Sequence, residues 1–397
     1  SILMCSMLGG MRAVTWTQVA QYIVLIIAYL LPIFWISNKM GAGFFPHFML
    51  ADEVARIGEL EQQFGFVKNS AADLATVPKG LAGITKAHSA VNATPWAFIS
   101  LALAMMMGTA SLPHVMMRYF TTPSVKAARK SVGWSLFFIF LLYSSAPMLA
   151  TLSKLSLIDP TLPTGIIGKS FAEVQSIDWF QNWNQANLMF ISDFNGNGTL
   201  ELNEFFMGGK AVVLATPEIA GLPYVISGLV AAGGMAAAMS TADGLILAIA
   251  NAISHDVYYK MIDPKAETAK RLLVARVLLV IIGFAGATIA ALEIQGILGS
   301  VIWAFDFAMS GLFFPLVLGV WWKRANKEGA IAGMVLGLAS SIWYLVWVRT
   351  GGSGFLGLTQ LTFGIFGAGV SFVAMVVVSL MTQEPDKATQ KMVDEVR

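Results

Sequence analysis

Residues 236–244 read AAAMSTADG, and the chain runs on through LILAIANAI before it meets His255 and Asp256. Two hydroxyls, Ser240 and Thr241, and one carboxylate, Asp243, stand in a stretch too apolar for a soluble surface. The composition around them decides the solvent. Of 397 residues, 56% are hydrophobic and only 12% are charged, about half the charged share of an ordinary soluble domain. Such a chain has too little polar surface to face water on all sides, so its solvent is lipid. A formal net charge of +2, with no basic run, leaves no case for a nucleic-acid partner. The single Cys5 excludes an intrachain disulfide and a thiolate metal cluster.

Apolar runs fall at 13–37, 94–115, 131–153, 222–254, 272–292, 297–322, 330–348 and 358–381. A helix needs about 20 such residues to cross the hydrocarbon core, which predicts about eight spans. The runs are continuous rather than alternating, which excludes a membrane barrel. The expected class is an all-α polytopic membrane protein, one transmembrane domain over 1–397. Pro32, Pro113, Pro147, Pro223 and Pro315 interrupt or border the runs, as membrane helices tolerate when neighbouring protein satisfies the freed backbone groups. The apolar start SILMCSML, ending at Gly9-Gly10, reads as the tail of a helix, so earlier spans are expected to be missing. Lys and Arg gather on alternate loops: 118–130, 260–276, WWKRANKEG after the sixth run, and the tail with Lys387, Lys391 and Arg397. By the positive-inside rule these face the cytoplasm of a cell membrane, the C-terminus included. Two long polar segments, 39–93 and 154–221, then fall outside.

Polar residues inside spans are costly and become site candidates. Ala237, Ser240 and Thr241 sit at i, i+3 and i+4 and share one helix face. Neutral carbonyl and hydroxyl oxygens suit an alkali cation that must bind and leave; the other reading is that the hydroxyls bond back to their own helix. Asp243 fits either a pair across the bundle or a water path. In MMMGTASLPHVMMRYF, Gly108 and Pro113 bracket Thr109, Ala110 and Ser111. This spacing predicts a broken helix whose free N–H groups hold an anion at Gly108, Thr109 and Ala110, or else a plain proline kink. His114 reads as a proton shuttle or as an ordinary hydrogen-bonded histidine. Asp306 in IWAFDFAMSGLFF is either a neutral buried acid or part of a transport path.

The segment DFNGNGTLELNE, 193–204, matches the EF-hand template in full. Asp193, Asn195 and Asn197 take positions one, three and five, Gly198 turns the loop, Thr199 offers a carbonyl, and Glu204 closes it. Low-affinity calcium is expected, with WFQNWNQANLMFI and FFMGGKAVVL supplying flanking helices. Asn197-Gly198-Thr199 is also a glycosylation sequon.

GGMRAVTWTQVAQ at 9–21, AAAMST at 236–241, ISHDVYYK at 253–260 and GVWWKRANKEGAIAG at 319–333 resemble the sodium:solute symporter family. GTASLPHVMMRYFTTPSVKAARKS at 108–131 is most similar to its monocarboxylate branch, the acetate and pyruvate permeases. The resemblance implies the C-terminal part of a five-plus-five inverted-repeat bundle that imports a short monocarboxylate by alternating access. It implies that the Ala237 carbonyl and the Ser240 and Thr241 hydroxyls bind the coupling sodium, with partners from a helix before Ser1. Gln18 departs from the family, which commonly carries Asp there, so a second cation is not expected to follow the usual route. A symporter of another solute (proline, a sugar), a sensor module and a small accessory membrane subunit stay open. No catalytic constellation points to an enzyme.

Overall fold

A computed structural model describes residues 2–41, 43, 46–64, 95–292 and 296–395. Most of the expected polar segment 39–93 lies outside these residues. The helices are α1 (Ile2–Lys39), α2 (Leu50–Gln63), α3 (Pro95–Ser111), α4 (Pro113–Met116), α5 (Val125–Ile158), α6 (Phe171–Gln175), α7 (Asp178–Gln185) and α8 (Val212–Ile219). They continue as α9 (Tyr224–Asn251), α10 (Thr268–Ala291), α11 (Ile297–Ala308), α12 (Phe314–Trp321), α13 (Lys327–Arg349), α14 (Gly364–Met381) and α15 (Lys387–Glu395). Among the described residues 7 helical segments are long and apolar enough to cross a membrane, and Trp96–Ser111 is a shorter apolar helix. Each expected run overlaps one of them. The protein is an all-α polytopic membrane protein. α10 shows why lipid is the solvent: Leu272, Leu273, Val277, Ile281, Phe284 and Ile289 are all exposed, an apolar surface that water does not tolerate at this extent.

The contacts group the chain into two compact units, each discontinuous in sequence: Ser1–Ala87 with Val125–Leu247, and His88–Ser124 with Ala248–Arg397. In the first unit α1 kinks at Gly10 (φ 54°) and packs on α5. The insert between α5 and α9 builds a core of its own. Leu155, Ile158, Ile166, Val174, Phe180, Leu200, Leu202 and Phe205 form it, and Ile57 of α2 enters the same cluster. α2 is held there by two ion pairs, Lys154 with Glu61 and Arg56 with Asp159. Lys154 is wholly buried, so its charge depends on that partner in a setting where an unpaired ammonium would be costly. A capping box, Ser170 with Glu173, starts α6.

The insert also contains β1 (Met189–Ile191) and β2 (Phe205–Met207), paired antiparallel with Met189 opposite Met207. The expected flanking stretches each contain part of a helix, α7 and α8, but the residues next to the 193–204 loop are strands. MFI and FFM are too short to hold a helix, and their aromatic residues suit a strand pair. Phe190 stacks on Phe206 at 4.5 Å, while Met189 and Phe205 enter the core. Helices α7 and α8 lie one step further out.

In the second unit a seam of small residues joins α13 and α14. Gly329, Gly333, Gly337 and Ser341 follow one another at four-residue steps and face Ser379, Met375, Ser371 and Gly367. A Cβ on Gly337 would run into the Ser310 carbonyl. Close approach of small residues is how helices associate in lipid, where no hydrophobic force acts between them. Asn326 caps α13 by accepting from the Gly329 N–H at 2.9 Å. Between α11 and α12 the helix passes through a π-helical turn, Met309–Phe313. Pro315 has no N–H and crowds the carbonyl four residues back, and the wider turn accommodates that. A second π-helical stretch, Ala252–Ile262, follows α9; beyond it the Arg271 guanidinium lies 3.9 Å from the Tyr259 ring centre.

Candidate functional site

In the first unit, α9 carries AAAMST as continuous helix, which places Ala237, Ser240 and Thr241 on one face as their spacing requires. Ser240 Oγ donates to the Ala237 carbonyl at 2.9 Å and Thr241 Oγ1 to the same oxygen at 3.3 Å. Back-bonding is general in these helices: Thr15, Ser145, Thr151 and Ser156 all donate to carbonyls one turn earlier. A hydroxyl turned onto its own helix is therefore no mark of an ion site by itself. The α9 cluster differs because two hydroxyls converge on a single carbonyl. Three oxygens are gathered in one place, and each hydroxyl keeps its lone pairs free while its proton is used on Ala237. Ala237 and Ser240 are half-buried and Thr241 is exposed, so the cluster opens to one side; Asp243, by contrast, is buried.

Gln18 of α1 reaches the same turn. Its Nε2 donates to the Ser240 carbonyl at 2.5 Å. A carboxylate in its place would set oxygen against oxygen and need a cation between them; the amide makes the link with its own N–H. The sequence marked Gln18 as a departure, but only the fold brings it to Ser240, 222 positions away.

In the second unit, the expected break falls at Leu112, which is extended (φ −67°, ψ 119°) between α3 and α4. Gly108, Thr109 and Ala110 lie before it, in the closing turn of α3. The unpaired backbone groups of a closing turn are carbonyls, at the negative end of the helix dipole. The free N–H groups expected at these three residues are therefore absent from them, and α4 opens with Pro113, which has none. Gly108 is buried; a Cβ there would lie 2.7 Å from both Cβ and the carbonyl oxygen of Phe305. Thr109 and Ala110 are exposed, and Thr109 Oγ1 donates to the Met105 carbonyl at 2.6 Å. His114 has a buried Nδ1 without a partner among the described residues.

The 193–204 loop, also in the first unit, is closed by its own side chains. Asp193 accepts from the Gly196 and Gly198 N–H groups at 2.7 and 3.1 Å. Asn195 accepts from the Asn197 N–H, and Asn197 from the Thr199 N–H. Glu204 is wholly buried and spans the loop, taking the Phe194 N–H on one oxygen and the Glu201 N–H on the other. Gly198 has φ 71°, the conformation its template position demands. One residue was missed: Glu201 Oε1 receives both the Asn195 and Asn197 amides at 2.9 Å. It stands ninth in the template, a position that commonly acts through water, and counting to nine would have found it.

A family model described as "Sodium:solute symporter family" matches residues 1–156 and 210–337. The unmatched stretch between them holds the 193–204 loop. An uncharacterized symporter of Cupriavidus necator is 34% identical over 484 aligned residues, covering 100% of this chain and 70% of that protein. A monocarboxylic acid transporter of Corynebacterium glutamicum is 26% identical over 342 residues, covering 85% of this chain and 52% of the transporter. A solved Na+-coupled sialic acid symporter, substrate-bound and outward-open, aligns with a TM-score of 0.56 at 18% identity. That alignment covers 97% of this chain and 66% of the solved one, and the likeness is one of fold.

Proposed function

This chain belongs to the sodium:solute symporter family, and we propose that it imports a short monocarboxylate (acetate, pyruvate, lactate or propionate) together with sodium. The observation that carries this is the convergence of the Ser240 and Thr241 hydroxyls on the Ala237 carbonyl. These neutral hard oxygens hold sodium without trapping it, as a coupling ion requires. The similarity to the C. glutamicum transporter supports the substrate class. Transport proceeds by alternating access of an inverted-repeat bundle, with the C-terminus in the cytoplasm of the cell membrane. Thr109 and Ala110, exposed at the end of α3, contact the substrate through their side chains, a hydroxyl and a methyl, and not through backbone N–H groups; Gly108 shapes that end by letting α11 approach.

Radiolabelled acetate and pyruvate uptake, with sodium or with choline in its place, tests the proposal. Sodium is expected to raise the initial rate on the order of tenfold. Equal rates in choline remove the coupling. Uptake of proline or a sugar, with none of either acid, removes the substrate.

The 193–204 loop binds calcium through Asp193, Asn195, Asn197, the Thr199 carbonyl and Glu204, with Glu201 acting through water. What supports this is the full template match and a loop already folded around its own carboxylates. Its role is to brace the insert, since Leu200 within it is wholly buried in the insert's core. At ten times its Kd, calcium would add about 1.4 kcal/mol to the folded state. The thermal midpoint is expected to rise with calcium over a chelator, and Glu204→Gln to abolish that rise. A midpoint indifferent to calcium would end this assignment.

A further inference from the structure

Asp306 has no part in the sites described above. It lies in α11 at 0% exposure, and neither of its carboxylate oxygens has a hydrogen-bond partner among the described residues. Its surroundings are close-packed. A Cβ on Gly364, the first residue of α14, would lie 2.6 Å from both Cα and Oδ1 of Asp306. The Gly364 N–H faces the carboxylate without completing a bond of full geometry. An isolated carboxylate in such a place must be neutralised, because burying a bare charge costs far more than the fold can supply.

Three neutralising partners are conceivable: a basic side chain, a metal cation and a proton. Four helical elements pack on α11, α3, the π-helical turn Met309–Phe313, α13 and α14, as does the 358–363 segment, which has no titratable residue. Within their ranges α3, the π-helical turn and α14 contain no titratable residue. On α13, the Tyr344 hydroxyl is engaged with the Phe355 and Leu358 carbonyls, and the Arg349 guanidinium stacks on Trp303 at 5.1 Å. Lys327 and Glu328 begin that helix, at the end opposite Arg349. Tyr258 and the charges around it belong to the π-helical stretch after α9, which is not among those four elements. Among the described residues no basic group pairs with Asp306.

A metal cation would need several converging oxygens. The hydroxyls of this turn are engaged elsewhere than at the carboxylate: Ser341 donates to Ser310 at 2.6 Å, and Ser310 lies 2.6 and 3.1 Å from the Asp306 and Gly364 backbone carbonyls. The Ser341 proton goes to Ser310 and the Ser310 proton to the backbone, and none of these bonds brings an oxygen onto the carboxylate. A proton needs one lone pair and no ligand shell.

We propose that Asp306 is a proton-binding site, a neutral carboxylic acid while α14 rests on α11, which gives up its proton to water only when the first turn of α14 parts from it. On release, the O–H bond breaks, water takes the proton, and the carboxylate left behind is solvated and faces the positive end of α14. The conformation of the second unit is thereby linked to pH.

Infrared difference spectroscopy on the full chain in lipid, wild type minus Asp306→Asn at neutral pH, reads the protonation state without any substrate. The expected difference contains the carbonyl stretch of a neutral acid, displaced in heavy water. Carboxylate stretches in its place would overturn the proposal. The asparagine keeps the shape but has no proton to release, so the second readout is the pH profile of sodium-driven uptake. It is expected to vary at least threefold between pH 6 and 9 in wild type and to flatten in Asp306→Asn. A profile shared by both proteins would overturn the link to pH. Absence of any acetate or pyruvate uptake would count against the substrate proposal and leave the infrared result standing, so the two failures are distinguishable.

Discussion

Replacing Ser240 and Thr241 together by alanine is expected to raise the sodium concentration for half-maximal uptake at least tenfold, with the protein made in normal amount. The two hydroxyls contribute two of the three oxygens gathered at Ala237. A hydrogen bond to a charged group is worth about 1.5–3 kcal/mol, and neutral oxygens on a small cation fall in a comparable range. Each factor of ten in affinity is about 1.4 kcal/mol, so losing both oxygens exceeds tenfold even after relaxation. The fold has little to lose, because among the described residues both hydroxyls bond only within α9 and alanine is the best helix former. Initial rates against sodium concentration provide the measurement. Thr241→Ser keeps the oxygen and should retain most of the sodium affinity. An unchanged half-saturation in the double variant would mean that the two hydroxyls merely satisfy their own helix.

Gly108→Val should leave little folded transporter, whereas Thr109→Val should fold and transport with a raised KM. The two residues are adjacent, yet they differ in what surrounds them. A Cβ at 108 meets the Cβ and carbonyl of Phe305 at 2.7 Å, and a backbone carbonyl in a packed helix cannot give way. Overpacking of this kind costs about 1–3 kcal/mol for extra methylenes alone, and here α3 must also separate from α11. Thr109 is exposed, and its hydroxyl is bonded only to Met105 of its own helix. Fluorescence-detected size exclusion after solubilisation separates loss of fold from loss of transport. If Gly108→Val is well folded and only its KM rises, then Gly108 lines the substrate path and the packing account is wrong.

The same contrast explains how far the sequence was legible. Span positions followed from composition, because a membrane helix must be apolar over a fixed length whatever its neighbours are. The face shared by Ala237, Ser240 and Thr241 followed from helical periodicity, and the 193–204 loop from a fixed ligand spacing. The break near Gly108 was legible, but its placement was not. Gly and Pro were both disruptive on paper, and the packing of Gly108 on Phe305 keeps the helix regular there, so that only the proline ends it. β1 and β2 escaped notice because three apolar residues carry no readable period; their pairing depends on a core assembled from 155 to 219.

By itself, then, the sequence determined the solvent, the helices and the residue types available for binding. These are local properties, set by transfer free energy and by the 3.6-residue turn. Tertiary structure alone decided which groups are neighbours: Gln18 with Ser240, Glu61 with Lys154, Gly108 with Phe305, Gly364 with Asp306. Each of these pairs is remote along the chain, so nothing in its immediate sequence distinguishes a linked, buried or stranded polar group from one turned to lipid or water. That distinction is a matter of desolvation, and desolvation depends on what the rest of the chain places nearby.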